Sequence, residues 1–242
     1  MKTGPDYEKV YSAEESAGLR GKDTREPYRY VCTLRHVPRG AGSLLDVGCG
    51  EGHWLGWVRE RRAGLSLCGF EVAPNRVEHA RGLYPGLDVR QGNIFTEDPG
   101  QFDVVTCLEV LEHLEDWKGA VERLLKFTKK KLILSVPYKE ELQWHVCVHC
   151  GEMTPRYGHL HSLSEESFAY LKDRFPVETH RLFGEHPSLV HHVYHRLRPK
   201  PYWMLVVVHV DGARVGAPSL WERAGAEVTD RALGFLPRRL LL

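Results

Sequence analysis

The chain has 242 residues, of which 42% are hydrophobic, and its 33 basic and 32 acidic side chains almost cancel. This length allows one substantial core, and the balanced charge leaves no long-range field that would favour nucleic acid or an anionic membrane. The longest apolar run, residues 202–210, is too short to span a bilayer, and the amino terminus lacks the apolar core of a signal peptide, so we expect a cytoplasmic protein.

Short β-like runs alternate with amphipathic helical patterns over residues 44–137, after a first stretch of 40 residues that looks helical. The β-like runs are residues 44–47, 67–71, 103–108 and 132–136. The helical patterns between them place apolar residues three and four positions apart. This alternation is typical of parallel βαβ units. It predicts an α/β fold with a doubly wound sheet that binds ligands at the carboxyl ends of its strands.

The pattern changes beyond the last of these runs. An insert rich in His, Cys and aromatic residues covers 138–163, and a helix is expected to begin near Ser164. Two further β-like runs, 176–183 and 203–211, are expected to pair as an antiparallel hairpin at the edge of the sheet. The last residues, 212–242, follow no clear pattern.

The run LLDVGCGEGHW places three glycines, Gly48, Gly50 and Gly52, directly behind Asp46 at the end of the first β-like run. Glycine permits backbone turns that other residues avoid and lets a ligand touch the main chain. A dinucleotide-binding loop needs its third glycine at the sixth position of the motif, which is His53 here, so an NAD-type site is disfavoured. A carboxylate at this place would also repel a pyrophosphate.

An acidic residue followed by Gly-x-Gly-x-Gly resembles the first motif of the class I S-adenosylmethionine-dependent methyltransferases. The resemblance continues in order through residues 44–137, including QGNIF, FDVVTCLEVLEHLED and LILSVPY. It implies a methyltransferase enzyme with a Rossmann-like, mostly parallel seven-stranded sheet and S-adenosylmethionine as its cofactor. The single domain of residues 1–242 would then comprise N-terminal helices (1–40), a cofactor-binding core (44–137), a Cys/His insert or lid (138–163), the C-terminal half of the sheet (164–211) and a tail (212–242).

The same resemblance assigns the residues that would hold the cofactor. Asp46 would lie near the sulfonium and the α-ammonium group, and Glu71 would accept hydrogen bonds from both ribose hydroxyls. Asn93 occupies a position where an Asp often meets the adenine amine, and an amide oxygen can take the same part. The full set expected to contact the cofactor is Asp46, Gly48, Gly50, Gly52, Glu71, Val72, Asn93, Ile94 and Leu108.

The run LEVLEHL places Glu109, Glu112 and His113 on one face if the segment is helical. Two carboxylates and an imidazole are able to bind Mg²⁺ or a similar cation, and alternatively His113 is a candidate general base for a substrate hydroxyl. The turn resembles that of the ubiquinone-type O-methyltransferases and of the small-RNA 2′-O-methyltransferases, which use this cluster with a divalent metal. In a second interpretation, the turn has only a structural role beneath the cofactor.

The insert contains a pair of cysteines with the two-residue gap of a zinc knuckle. The four donors of such a site would be Cys147, Cys150, His159 and His161, with His145 or His149 as substitutes. A structural Zn²⁺ would stabilise a long loop that has no regular structure of its own. An unmetallated thiol pair explains the spacing equally well.

His159 has a competing role, because GHLHSLS resembles the segment in which many small-molecule methyltransferases present a histidine to the methyl acceptor. A histidine that ligates zinc cannot also accept a proton, so we assign His159 to the acceptor pocket as a catalytic residue beside His113. His159 alternatively completes a metal site with Glu109, Glu112 and His113.

The sequence as a whole predicts methyl transfer to an acceptor heteroatom, with the hydroxyl oxygen of a small molecule as the favoured acceptor. One alternative is a metal-dependent RNA 2′-O-methyltransferase, which the near-neutral charge argues against without excluding nucleic acid. Another is a non-catalytic module that binds S-adenosylmethionine or is stabilised by zinc. No membrane partner is expected, and the sequence does not indicate an oligomeric state.

Overall fold

The computed structural model describes residues 28–148, 151–182 and 201–212. This part of the chain forms nine strands: β1 (Ser43–Val47), β2 (Ser66–Glu71), β3 (Asp88–Gln91), β4 (Phe102–Leu108), β5 (Thr128–Pro137), β6 (Trp144–Val146), β7 (Met153–Pro155), β8 (Val177–Leu182) and β9 (Trp203–His209). The predicted helices of residues 1–27, the predicted donors Cys150 and His149 and the tail beyond residue 212 lie outside the described residues.

Seven strands form one sheet in the order β3-β2-β1-β4-β5-β9-β8. Strands β1 to β5 are parallel, whereas β9 runs antiparallel to both β5 and β8. The expectation of a doubly wound, mostly parallel seven-stranded sheet is therefore confirmed, as is the antiparallel pair at its edge. The order reverses between β1 and β4, and in such sheets this switch point is where ligands bind.

Four α-helices flank the described strands: α1 (Tyr28–His36), α2 (His53–Arg61), α3 (Pro74–Leu83) and α4 (Trp117–Phe127). Their starts follow local chemistry, since Pro74 opens α3 and the Asp116 carboxylate caps α4 by accepting from Gly119 N. The segment predicted as a helix from Ser164 is a 3₁₀ helix, Glu165–Asp173, which begins with reciprocal bonds between Ser164 and Ser167.

Neighbouring residues of the central strands point into two different cores. Leu45, Val105 and Leu134 join the core that includes α4 and the Glu165–Asp173 segment. Their neighbours Leu44, Val104 and Ile133 join a second core with α2 and α3. Because both faces of the sheet are covered, the central strands are continuously apolar rather than alternating.

The insert after β5 contains a short antiparallel hairpin, β6 and β7, rather than a loop without regular structure. Several of its apolar side chains are exposed, among them Trp144, Val146 and Met153. The hairpin therefore stands out from the sheet. Across the described ranges, no helix combines the length and the apolar composition needed to cross a membrane.

Alanine substitutions at two helical glycines test how tightly the core around α2 and α3 is packed. A Cβ on Gly56 in α2 would lie 2.2 Å from Tyr84 Cε1, whereas a Cβ on Gly82 in α3 would meet nothing within 4 Å. We expect Gly56→Ala to lower the free energy of unfolding by about 1–3 kcal/mol through overpacking. Gly82→Ala should raise it by about 0.4–1 kcal/mol, because alanine restricts the unfolded chain. Urea denaturation measures both, and equal effects would contradict this packing.

Candidate active site

The glycine run forms a turn at the carboxyl end of β1, at the switch point of the sheet. Gly48, Gly50 and Gly52 have φ angles of 72°, 51° and 75°, which L side chains rarely adopt. A Cβ on Gly48 would also lie 2.4 Å from Val110 Cγ2. The turn thus needs glycine for its backbone conformation and, at Gly48, for space.

Glu71 fixes this turn to the end of β2. Its Oε2 accepts a hydrogen bond from Gly50 N at 2.8 Å, and its Oε1 accepts one from Ala73 N at 3.0 Å. The neighbouring Phe70 carbonyl accepts from Gly48 N at 2.7 Å. A carboxylate has about four acceptor positions, so two backbone bonds leave Glu71 able to accept from ligand hydroxyls.

Asp46 is buried near the end of β1, just before the glycine turn. The side chain is only 3% exposed, and its Oδ1 accepts a hydrogen bond from Thr106 Oγ1 at 2.6 Å. Burial raises the pKa of Asp46 to about 7, the Thr106 hydrogen bond opposes this rise, and the charge of Glu71 adds to it. Contact between this carboxylate and a sulfonium stays a prediction, and in the ligand-free protein Asp46 is buried and bonded to Thr106.

The residues expected around adenine follow β2 and β3. Asn93 Oδ1 accepts from Phe95 N at 2.9 Å, so the amide oxygen assigned to the adenine amine already takes part in a local turn. Ile94 is buried in the core beside α4, while Val72 and Leu108 are half-buried. The contacts of these residues with adenine stay a prediction, and the Asn93 amide oxygen has a competing backbone partner.

The turn formed by the run LEVLEHL, residues 108–114, is not an α-helix. Glu109 has a left-handed φ of 59°, and Leu111–His113 is a single 3₁₀ turn. Glu109 Oε1 accepts from Ser135 Oγ at 2.7 Å, and its Oε2 pairs with Arg29 Nη1 at 3.4 Å. The turn therefore does not align the three side chains on one helical face. Glu109 is instead bound by Ser135 of β5 and by Arg29 of α1.

The turn instead meets His159 from the insert. One possible ligand atom from each of Glu112, His113 and His159 lies within 4.8 Å of the other two. His113 Nδ1 lies 3.3 Å from the carbonyl of Gly158, and the rings of His113 and His159 are 4.8 Å apart. His159 Nδ1 forms a short hydrogen bond with the Glu140 carboxylate. We refer to Glu112, His113 and His159 as the acid-histidine cluster.

Burial controls the charges of this cluster. Glu112 is 1% exposed, and neither of its carboxylate oxygens has a hydrogen-bond partner among the described residues. Burial and the neighbouring Glu109 raise the pKa of Glu112 well above its usual range. Burial, His159 and Arg76 lower the pKa of His113 to about 4, against a backbone contact with Gly158 that raises it. His113 is therefore a neutral imidazole at neutral pH.

The other predicted metal donors lie apart from this cluster. His161 Nε2 bonds to the carbonyl of Leu114 at 2.9 Å, and its ring lies against Trp117. Cys147 lies in the turn of the β6–β7 hairpin. Within the described residues, neither Cys147 nor His161 belongs to a group of three metal-ligating side chains. Because Cys150 is outside those residues, the zinc set stays a prediction.

Two residues of the site were not anticipated from the sequence. Glu140 belongs to an unremarkable charged run, KEE, yet it binds the ring of His159. Arg29 lies before the first recognisable strand, yet it reaches Glu109. Neither residue has a spacing signal, because the pairings join parts of the chain that only the tertiary fold brings together.

The buried carboxyl of Asp46 gives a pH-dependent prediction for the ligand-free protein. A folded-state pKa of about 7, against 3.8 for the ordinary group, contributes stability that is fully present below pH 3.8 and is lost as the pH rises through 7. The Asp46→Asn variant has no ionisable group at this position, so it does not lose this stability as the pH rises. Its amide oxygen can still accept the Thr106 hydrogen bond. Its free energy of unfolding, relative to the native sequence, should therefore rise by about 3–4 kcal/mol between pH 4 and pH 8.

Urea denaturation of the native chain and of Asp46→Asn across this pH range measures the difference, with exposed Asp173→Asn as the matched control. A difference between Asp46→Asn and the native chain that stays constant with pH would show that Asp46 is ionised in the folded state.

A family model described as a methyltransferase domain matches residues 23–175, which is more than half of the chain. The ubiquinone biosynthesis O-methyltransferase of Azotobacter vinelandii is 38% identical over 95 residues, covering 37% of this chain and 41% of its own length. The corresponding protein of Bordetella bronchiseptica is 41% identical over 108 residues, covering 40% of this chain and 44% of its own length. The chain thus spans less than half the length of these curated relatives.

Solved structures share the fold at low sequence identity. An S-adenosylmethionine-dependent methyltransferase from Mesorhizobium loti matches with a TM-score of 0.53 and 17% identity, over 74% of this chain and 95% of that one. Magnesium protoporphyrin IX methyltransferase from Synechocystis PCC 6803, with bound S-adenosylmethionine, matches with a TM-score of 0.51 and 16% identity, over 75% and 76%. The family model, which matches more than half of the chain, therefore shows that the chain belongs to the methyltransferase domain family, and these solved structures share its Rossmann-like fold.

Proposed function

We propose that this chain transfers the methyl group of S-adenosylmethionine to the hydroxyl oxygen of a small molecule. The observation that carries the proposal is the pairing of His159 with Glu140 next to the turn that follows β4. The names of the curated relatives, ubiquinone biosynthesis O-methyltransferases, support oxygen as the accepting atom. A hydroxyl is a poor nucleophile until its proton is removed, so this reaction class needs a base at that position.

The His159 ring is oriented for this task. Its Nδ1–H donates to the Glu140 carboxylate, which fixes the tautomer and leaves the lone pair on Nε2. The Nε2 atom is then the proton acceptor for a substrate hydroxyl. S-adenosylmethionine supplies an electrophilic methyl group on a cationic sulfur. Glu140 stabilises the imidazolium that forms when His159 takes the proton, as a buried carboxylate does for the histidine of a catalytic triad.

The glycine turn and Glu71 position the cofactor for the reaction. Holding two reactants in line turns a bimolecular step into a nearly unimolecular one, and this accounts for a large share of the rate in such reactions. Glu71 fixes Gly50 and retains acceptor capacity for ribose hydroxyls. We infer that Asp46 contributes by supporting β1 and β4 through Thr106 rather than by touching the cofactor.

A divalent cation at the acid-histidine cluster is the alternative to this mechanism, because His159 Nε2 would then ligate the ion and no longer accept the proton. Both Glu112 oxygens are buried without a hydrogen-bond partner among the described residues, and a cation would satisfy a carboxylate that is otherwise costly to bury. Glu112, His113 and His159 would hold it, with Glu140 orienting His159 from behind. Such an ion would lower the pKa of a bound hydroxyl. Glu109 is not included, because Ser135 and Arg29 already engage its carboxylate.

The first test concerns His159 as the base. With a panel of small phenols and alcohols as acceptors, His159→Gln should lower kcat on the order of 10²- to 10⁴-fold, the usual contribution of general-base catalysis. His145→Gln, on the exposed strand β6, is the matched control and should keep its turnover. Mass spectrometry of the methylated product and of S-adenosylhomocysteine provides the readout. Unchanged turnover in His159→Gln would rule out His159 as the base.

The second test concerns the cation. Mn²⁺ binding, followed by the loss of its free electron paramagnetic resonance signal, should show one fewer bound ion per chain in Glu112→Gln than in the native protein. Exposed Glu115→Gln, three residues further along, serves as the control and should bind as the native protein does. Equal Mn²⁺ binding in Glu112→Gln and the native chain would argue for a metal-free mechanism.

A further inference from the structure

A second group of histidines lies at the β8 edge of the sheet, whereas the glycine turn follows the interior strand β1. His36 ends α1, Glu178 and His180 lie on the edge strand β8, and His209 ends β9. Because β9 runs antiparallel to β5, its last residue lies beside the beginning of β5, where His209 pairs in register with Lys131. Four positions separate β8 from β1 in the order of the sheet, and the two sites share no residues.

The fold itself brings three metal donors together here. Glu178, His180 and Leu182 alternate along β8 and therefore face the same side of the sheet. Leu182 packs against Cys32 of α1 in a small apolar cluster. His36 follows Cys32 by four residues, about one helical turn, and its ring lies 4.5 Å from that of His180. Apolar packing thus fixes the donors in place without a cation.

The donors converge closely. One ligand atom each from His36, Glu178 and His180 lies within 4.8 Å of the other two. His180 Nε2 is buried 3.3 Å from Glu178 Oε2, yet it makes no well-aligned hydrogen bond. This ion-pair contact is poorly aligned for a hydrogen bond, and a cation between the two groups would be ligated by both. All three residues are half-buried, so an ion has access from solvent.

We propose that His36, Glu178 and His180 form a binding site for a transition-metal dication of the Zn²⁺ class. Two imidazoles and one carboxylate are a donor set that Zn²⁺ takes in proteins, with a fourth position left for water. The ion would join α1 to the edge strand β8. Its role is to stabilise this edge of the fold, apart from the methyl-transfer chemistry.

His209 orients the Glu178 carboxylate of this site. Its Nε2–H donates to Glu178 Oε1 at 2.6 Å, which leaves Oε2 directed at His180. Ligating carboxylates are commonly oriented by such an outer hydrogen bond. His209 is 5% exposed, and its Nδ1 has no hydrogen-bond partner among the described residues, so Glu178 is the polar contact that holds this ring. His209 therefore holds the Glu178 carboxylate with Oε2 in position to ligate the ion.

The charge balance sets the expected strength of binding. Glu178 supplies the one negative charge of the site, and Lys131, next to His209 on β5, adds a positive charge that acts on His36. A nearby ammonium group disfavours a bound dication. Removing it should strengthen binding, whereas removing a donor should abolish it, and these opposite effects separate a true site from nonspecific adsorption to histidines.

Zinc titration of the full chain tests the proposal. The other candidate donors are first silenced in a Cys147→Ser/Glu112→Gln background, and bound metal is removed with a chelator. Isothermal titration calorimetry with Zn²⁺ should then show one bound equivalent, which is lost in His36→Gln/His180→Gln. Lys131→Met should tighten binding, and His79→Gln, on α3, should leave it unchanged. Circular dichroism verifies that each variant is folded.

Thermal unfolding provides a second readout, because an ion that binds only the folded chain raises the melting temperature. Zn²⁺ should raise it in the background protein and not in His36→Gln/His180→Gln. If that double variant does not fold, Glu178→Gln is measured in its place, with an expected loss of affinity of at least about 10-fold. Absence of binding in the background protein, or unchanged zinc stoichiometry in the donor variants, would overturn the proposal.

Discussion

The Glu71 carboxylate is the contact on which the cofactor side of this structure depends. It accepts from Gly50 N in the glycine turn and from Ala73 N just before α3, so one side chain links the carboxyl ends of β1 and β2. Three glycines with positive φ would be costly to order without such a partner. Charge-assisted bonds to backbone amides are among the stronger hydrogen bonds in proteins, which suits a turn that must be preformed for its ligand.

The sheet keeps its two clusters of metal-ligating side chains apart. At the carboxyl ends of the parallel strands, the turn after β4 and the insert after β5 bring Glu112, His113 and His159 to one place. At the far edge, β8 and β9 bring together imidazoles and the Glu178 carboxylate beside α1. Both clusters are built by residues distant in sequence, and both have a carboxylate-histidine hydrogen bond that fixes a ring or an oxygen.

The sequence was most informative where a residue's role follows from its neighbours along the chain. Helical spacing and apolar runs predicted the βαβ units, and the glycine spacing predicted the turn, because both depend on local backbone geometry. The sequence was less informative where the environment decides: the burial of Asp46 and its hydrogen bond from Thr106 do not follow from spacing. The left-handed Glu109 and the partner of His159, Glu140, likewise depend on tertiary contacts that spacing does not encode.

The most direct test of this account is the affinity of Glu71→Gln for S-adenosylhomocysteine, measured by calorimetry beside the exposed control Glu78→Gln. An amide at position 71 turns one acceptor into a donor that faces a backbone N–H, at a cost of about 1–3 kcal/mol. The account predicts a folded variant whose affinity falls by about 10-fold or more, with Glu78→Gln unchanged. Native affinity in a folded Glu71→Gln protein would show that the glycine turn does not depend on this carboxylate.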